Sequence, residues 1–170
     1  MVSTRKIAAI IVLAALGVAA SPINIPMGPT KAFPFQHALN VVTGILLGPW
    51  SAVLTAVIVG TIRIGLGTGT IFAYPGGIPG GLVVGLVYWY LKKTDIAAFT
   101  EPIGTSLGAI VSATLIVQFF PRAMLPIFGV ENQVLLFIIY WAFSCVPGSV
   151  IGFALVKGLR RAGIEKRLLV

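Results

Sequence analysis

The run Glu131-Asn-Gln-Val-Leu-Leu-Phe-Ile-Ile-Tyr-Trp-Ala-Phe-Ser-Cys-Val-Pro-Gly-Ser-Val-Ile-Gly-Phe-Ala-Leu-Val-Lys157 carries no charged side chain between its two ends. A helix of about 20 apolar residues crosses the hydrocarbon core of a bilayer, and this one exceeds that length. Pro147 in its interior removes one N–H, which predicts a kink and a freed carbonyl at Phe143. The rest of the chain has the same character. Of 170 residues, 58% are hydrophobic and 9% are charged, with a mean hydropathy of +1.04. A water-soluble globule carries about 25% charged residues to cover its surface. Lipid is therefore the main solvent, and the expectation is an integral membrane protein.

Five more segments read as spans, giving helices over about 5–21, 33–48, 50–66, 78–91, 102–120 and 131–157. Pro34, Pro49, Pro79 and Pro102 fall near four of the starts, where a first helical turn tolerates a missing N–H. The expected fold is all-α: a six-transmembrane-helix bundle, one transmembrane domain over 1–170. Basic residues set its orientation. Arg5, Lys6, Lys92, Lys93, Lys157, Arg160, Arg161, Lys166 and Arg167 share one side, against Lys31 and Arg122 opposite and Arg63 within a span. The positive-inside rule then places both termini in the cytoplasm, with Tyr88, Trp89 and Tyr90 as the inner aromatic belt. Residues 1–21 also fit a secretory signal ending Val18-Ala19-Ala20 before Ser21. The stripe Ala8, Val12, Ala15, Ala19 on one face favours a retained helix.

The composition excludes several function classes. A single Cys145 rules out a disulfide framework or a thiolate-rich metal site. One histidine and four acids leave little for a hydrolytic metal centre, which takes three or four convergent ligands. The net charge of +8 is spread over separate loops, unlike the single basic face of a nucleic-acid binder. Paired acids and ligand-spaced histidines are missing, so no enzyme is expected, and nothing calls for a cofactor or a metal. No phosphate-cradling loop is present, so the chain cannot hydrolyse ATP. The reading also finds no acid deep in the membrane for a proton relay, Glu131 lying at the mouth.

Small residues at helical spacing predict close helix contacts: Gly77, Gly81 and Gly85; Gly104, Gly108 and Ser112; Ser144, Gly148 and Gly152. Loop one, Ser21 to Phe35, and loop three, Gly67 to Gly77, are apolar yet full of Pro and Gly, as expected of lids folded over the bundle mouth. Intramembrane polar residues carry the functional signal, because burying them is costly. Gln36, His37, Asn40, Arg63 and Asn132 lie toward the outer side and offer donors and acceptors. Phe33, Phe35, Tyr74, Tyr140 and Trp141 offer flat apolar walls beside them.

Lys31-Ala-Phe-Pro-Phe-Gln-His-Ala-Leu-Asn40, Leu47-Gly-Pro-Trp50, Gly67-Thr-Gly-Thr70 and Tyr74-Pro-Gly-Gly77 resemble the ThiW family. Members are substrate-binding S components of energy-coupling factor (ECF) vitamin transporters in prokaryotes. The resemblance implies a multi-pass cell-membrane protein that captures a thiamine precursor outside, with hydroxyethylthiazole the proposed substrate. It also implies partners: a transmembrane coupling protein and two ATPase subunits. S components commonly touch the coupling protein through a small-residue face of helix one, usually an Ala-xxx-Ala pattern, which Ala15 and Ala19 match here; Ala8 lies on the same face and extends it. The alternatives are an S component for another small vitamin or precursor, or a self-sufficient carrier or channel.

Overall fold

The computed structural model describes residues 3–27, 30–92, 94–119, 129 and 131–164. Phe120, Arg122, Lys93, Lys166 and Arg167, used above to set spans and orientation, lie outside them. The described residues form α1 (Thr4–Ala19), a hairpin of β1 (Ile25–Met27) and β2 (Thr30–Ala32), α2 (Pro34–Leu47), α3 (Pro49–Gly65), α4 (Ala73–Leu86), α5 (Glu101–Val111) and α6 (Gln133–Arg161). A π-helical stretch, Val87–Lys92, prolongs α4. A 3-10 stretch, Asp95–Thr100, precedes α5, and π and 3-10 turns carry it on to Phe119. The described residues are all-α apart from the hairpin, whose register pairs Ile25 with Ala32 and Met27 with Thr30.

α2 is the axis of the bundle. Every residue from Gln36 to Leu47 is buried, and α1, α3, α4 and α6 all pack against it. At 1.5 Å per residue it is only about 21 Å long, less than the ~30 Å hydrocarbon core. A helix wrapped in protein meets no lipid, so it need not match the bilayer. Two stretches, Asp95–Phe119 and Gln133–Arg161, are long and apolar enough to cross a membrane by themselves, and Pro49–Gly65 is a shorter apolar helix. Outward faces carry Ile11, Leu16, Trp50, Leu54, Leu107, Leu115, Phe143 and Val150 in the open. So much exposed apolar surface marks a protein solvated by lipid.

Along α6 the interior changes character. Phe72, Ala109, Leu136, Phe137 and Trp141 form one apolar cluster, and Ile10, Val41, Ile45, Val84, Ala98 and Val156 belong to another. A polar layer built on His37, Asn40, Glu101 and Thr105 lies between their levels. At the hairpin end, Ser21 Oγ donates to Thr68 Oγ1 at 3.0 Å and Lys31 Nζ to the Gly67 carbonyl at 3.2 Å. At the opposite end, Asp95 pairs with Lys157 (3.2 Å) and Arg160, and Arg5 and Ile164 line one groove. The first and last described helices thus start and finish at the same end.

Three expected boundaries need correction. α4 begins at Ala73, not near 78, and Pro79 sits inside it. Pro75 occupies the tolerant first turn instead. The N–H missing at Pro79 frees the Pro75 carbonyl, which abuts α5 where Gly108 has no side chain. The fifth segment begins at Asp95, not 102, because the 3-10 stretch climbs into the bundle and buries Ala97 and Ala98. Glu101 consequently lies within the segment. α6 also runs past Lys157 to Arg161.

A polar cavity beneath the hairpin

Under the hairpin and the α3–α4 connection lies a small cavity. Its walls are Phe33, Phe72 and Trp141; its polar groups come from Lys31, Gln36, His37, Arg63, Thr70 and Ser144; Ala73 and Gly76 form part of the floor. The space open to water inside it is about 40 Å³. That is enough for a few waters, so anything larger fits only if the walls part.

The wall is held from several elements. Pro34 starts α2, and the Phe33 N–H just before it donates to Ser144 Oγ of α6 at 2.7 Å. Gly148, one turn further along α6, lets that helix close on α2: a methyl added there would lie 2.5 Å from His37 Cβ and 2.6 Å from the Pro34 carbonyl. Trp141 stands edge-on to Phe137 at 5.8 Å, and Phe72 lies 5.5 Å from Phe137.

Arg63 is 4% exposed. Its carbonyl accepts from the N–H groups of Thr68 and Gly69 at 3.0 and 2.9 Å, so the loop after α3 folds back over it. The guanidinium sits 3.9 Å above the Phe33 ring, a cation–π contact of about 2 kcal/mol where water is excluded. Its hydrogen bonds are long, 3.4 Å to Gln36 Oε1 and 3.5 Å to the Thr68 carbonyl, and Nε has no partner among the described residues. A guanidinium offers five donors, and these contacts use few of them well.

Behind the cavity sits the residue that sequence reading placed outside the membrane. Glu101 is 0% exposed. Its Oε1 lies 2.7 Å from His37 Nδ1, 2.9 Å from Asn40 Nδ2 and 3.0 Å from Thr105 Oγ1. The expectation of no buried acid is therefore wrong. Pro102 reads as a helix start, yet the apolar run Ile96-Ala97-Ala98-Phe99 before Glu101 was the available signal, with Asp95 the better boundary. Glu101 fits because Gly80 of α4 has no side chain to meet it.

The ten residues expected at the site separate into three groups. Phe33, Gln36, His37, Arg63 and Trp141 line the cavity. Asn40 lies one layer deeper, donating to Glu101 and to the Gly77 carbonyl at 3.0 Å. The others stand apart from that lining. Phe35 is 37% exposed beside Phe33, and Tyr74 meets Thr61 Oγ1 at 3.0 Å on the α3–α4 seam. Tyr140 packs against the Phe72 cluster, and Asn132 caps α6 by accepting from the Leu135 N–H at 3.1 Å. Lys31, Thr70, Phe72 and Ser144 line the cavity without having been expected there.

The proposed docking face is open. Ala8, Ala15 and Ala19 point outward, while α1 packs inward through Ile10, Ala14 and Gly17. Ala8 also borders an apolar groove with Val12, Leu16 and Leu46.

No curated protein and no solved structure matches the chain. One family does: its description is thiamine-precursor transporter protein (ThiW), and it matches residues 7–162, nearly the whole length. An apolar helical bundle with a buried polar cavity under its hairpin end is the architecture a membrane transporter of a small solute needs, and the chain belongs to the ThiW family of thiamine-precursor transporters.

Proposed function

We propose that this protein is the substrate-capture S component of an ECF-type importer in a prokaryotic cell membrane, and that it binds hydroxyethylthiazole from outside. In this reading six helices span the bilayer, both termini are cytoplasmic, and the hairpin end faces outward. The observation that carries the ligand assignment is the cavity itself. It pairs aromatic walls, Phe33 and Trp141, with an under-used guanidinium and one imidazole, which suits a small ring bearing one or two polar atoms. Gln36 and His37 complete the polar set, while Asn40 supports it from beneath. Phe35, Tyr74, Tyr140 and Asn132 act around the mouth as the walls part.

Energy enters through a partner. The chain holds no phosphate-cradling loop, and Ala8, Ala15 and Ala19 leave α1 a small-residue face that its own bundle does not use. Close approach within lipid requires such a face, so the coupling protein docks there and brings two ATPase subunits. The function is transport and not catalysis.

Titration of the purified protein with hydroxyethylthiazole tests the ligand. Saturable binding that weakens in Arg63→Gln is expected; no binding sinks the assignment. Ala15→Trp with Ala19→Trp should leave that titration unchanged and abolish uptake in cells that hold the coupling module. A second reading has one observation in its favour. Glu101 paired with His37 is the kind of buried acid that ion-coupled carriers use, so a self-sufficient carrier predicts uptake that survives both tryptophans.

A further inference from the structure

The buried acid points to how the cavity chooses its ligand. Asn40 Nδ2 lies between Glu101 Oε1 and the Gly77 carbonyl, at 2.9 and 3.0 Å. A carbonyl only accepts, so the amide nitrogen is on this side and donates to both. Thr105 Oγ1 brings a second hydrogen to the same carboxyl oxygen at 3.0 Å. The hydroxyl oxygen of a protonated carboxyl is a poor acceptor, so an oxygen taking two donors carries no proton of its own and only accepts. His37 Nδ1, at 2.7 Å from that oxygen, must then supply the third proton.

A neutral imidazole with its proton on Nδ1 has a lone pair on Nε2. The ring lines the cavity, and Nε2 has no protein partner among the described residues. The contact with Glu101 uses only the Nδ1 proton, so it forms with a neutral ring. The other basic groups in the wall, Lys31 and Arg63, can only donate.

We infer that Glu101 is a positioning residue that turns His37 into a hydrogen-bond acceptor facing the cavity, so that the ligand is selected by a hydroxyl donating to Nε2 while Arg63 donates to a ring nitrogen or other acceptor. This rests on the thiazole reading and narrows it: the alcohol of the side chain, not the ring alone, is what the site recognises. A buried acceptor left unpaired by the wrong ligand is costly, which makes such a contact selective.

The chain has one histidine, so nitrogen-15 histidine labelling reads His37 without assignment. The wild-type protein in detergent should show a protonated Nδ1 and a bare Nε2, with the Nε2 resonance moving when hydroxyethylthiazole is added. Its methyl ether keeps the ring and the oxygen but loses the donor, and should bind at least about tenfold more weakly. In Glu101→Gln the proton should redistribute to Nε2 and the preference for alcohol over ether should shrink below about threefold. A wild-type Nε2–H, or an ether binding within about threefold of the alcohol, overturns the inference even if the variant fails to fold. If neither compound binds, the thiazole assignment fails, and the two ring nitrogens alone then judge the role of Glu101.

Discussion

Asp95 and Glu101 bracket the same 3-10 region and are both almost fully buried, at 5% and 0% exposure, yet their surroundings differ in kind. Asp95 faces Lys157, whose side chain is half exposed, and Arg160. Water reaches these cations, so the pair resembles a surface ion pair that fastens the fifth segment to the end of α6. Glu101 has no Lys or Arg at ion-pair distance among the described residues. It is held by an amide, a hydroxyl and an imidazole, all on one oxygen. A clamp needs only opposite charge. An acid kept in the centre of the bundle on oriented donors costs far more to bury, and such a group is retained for what it does to its neighbours.

The contrast breaks first at Glu101 itself. Glu101→Ala leaves the donors of His37, Asn40 and Thr105 unpaired, and each buried orphan costs about 1–3 kcal/mol. Thermal unfolding in detergent should show a loss of several times that of any single surface change. A melting curve like the parent's would mean the polar layer is not held as described. Next comes Gly148→Val, which drives a side chain into His37 and Pro34 and should cost about 1–3 kcal/mol. Gly158 has nothing within 4 Å of an added methyl, so Gly158→Val in the same assay is the control, and equal losses would deny the tight α2–α6 contact.

Arg63→Lys keeps the charge but gives up the flat stack on Phe33 and the forked donors. Ligand affinity should fall about tenfold, or about 1.4 kcal/mol, with little change in unfolding; isothermal titration separates the two. The smallest effect belongs to the other acid. Asp95→Asn should cost about 1 kcal/mol or less and leave affinity untouched. A large loss of binding in that variant would merge the two regions into one functional unit.

Much of this was legible in the sequence. Apolar length finds α6 outright, and prolines find the starts of α2 and α3. The polar residues of α2 do face the cavity and its floor, because Gln36, His37 and Asn40 share one helix face. What local signals do not carry is rotation and depth. Tyr140 and Trp141 are neighbours in sequence, but only Trp141 lines the cavity; α6 is turned by Gly148 seating on His37. Glu101 escaped for the same reason. A proline at N1 marks a helix start, while the 3-10 stretch ahead of it is set by Asp95 docking on Lys157 and Arg160, a contact made by residues far apart in the chain.

On the proposed function, this chain captures a thiamine precursor but cannot concentrate it alone. Labelled hydroxyethylthiazole given to sealed vesicles that hold only this protein tests that directly. Label retained in proportion to protein, saturable and unaffected by an imposed proton gradient, is the expected result. Accumulation beyond the amount of protein, driven by that gradient and lost in Glu101→Gln, would contradict it and make the chain a carrier in its own right.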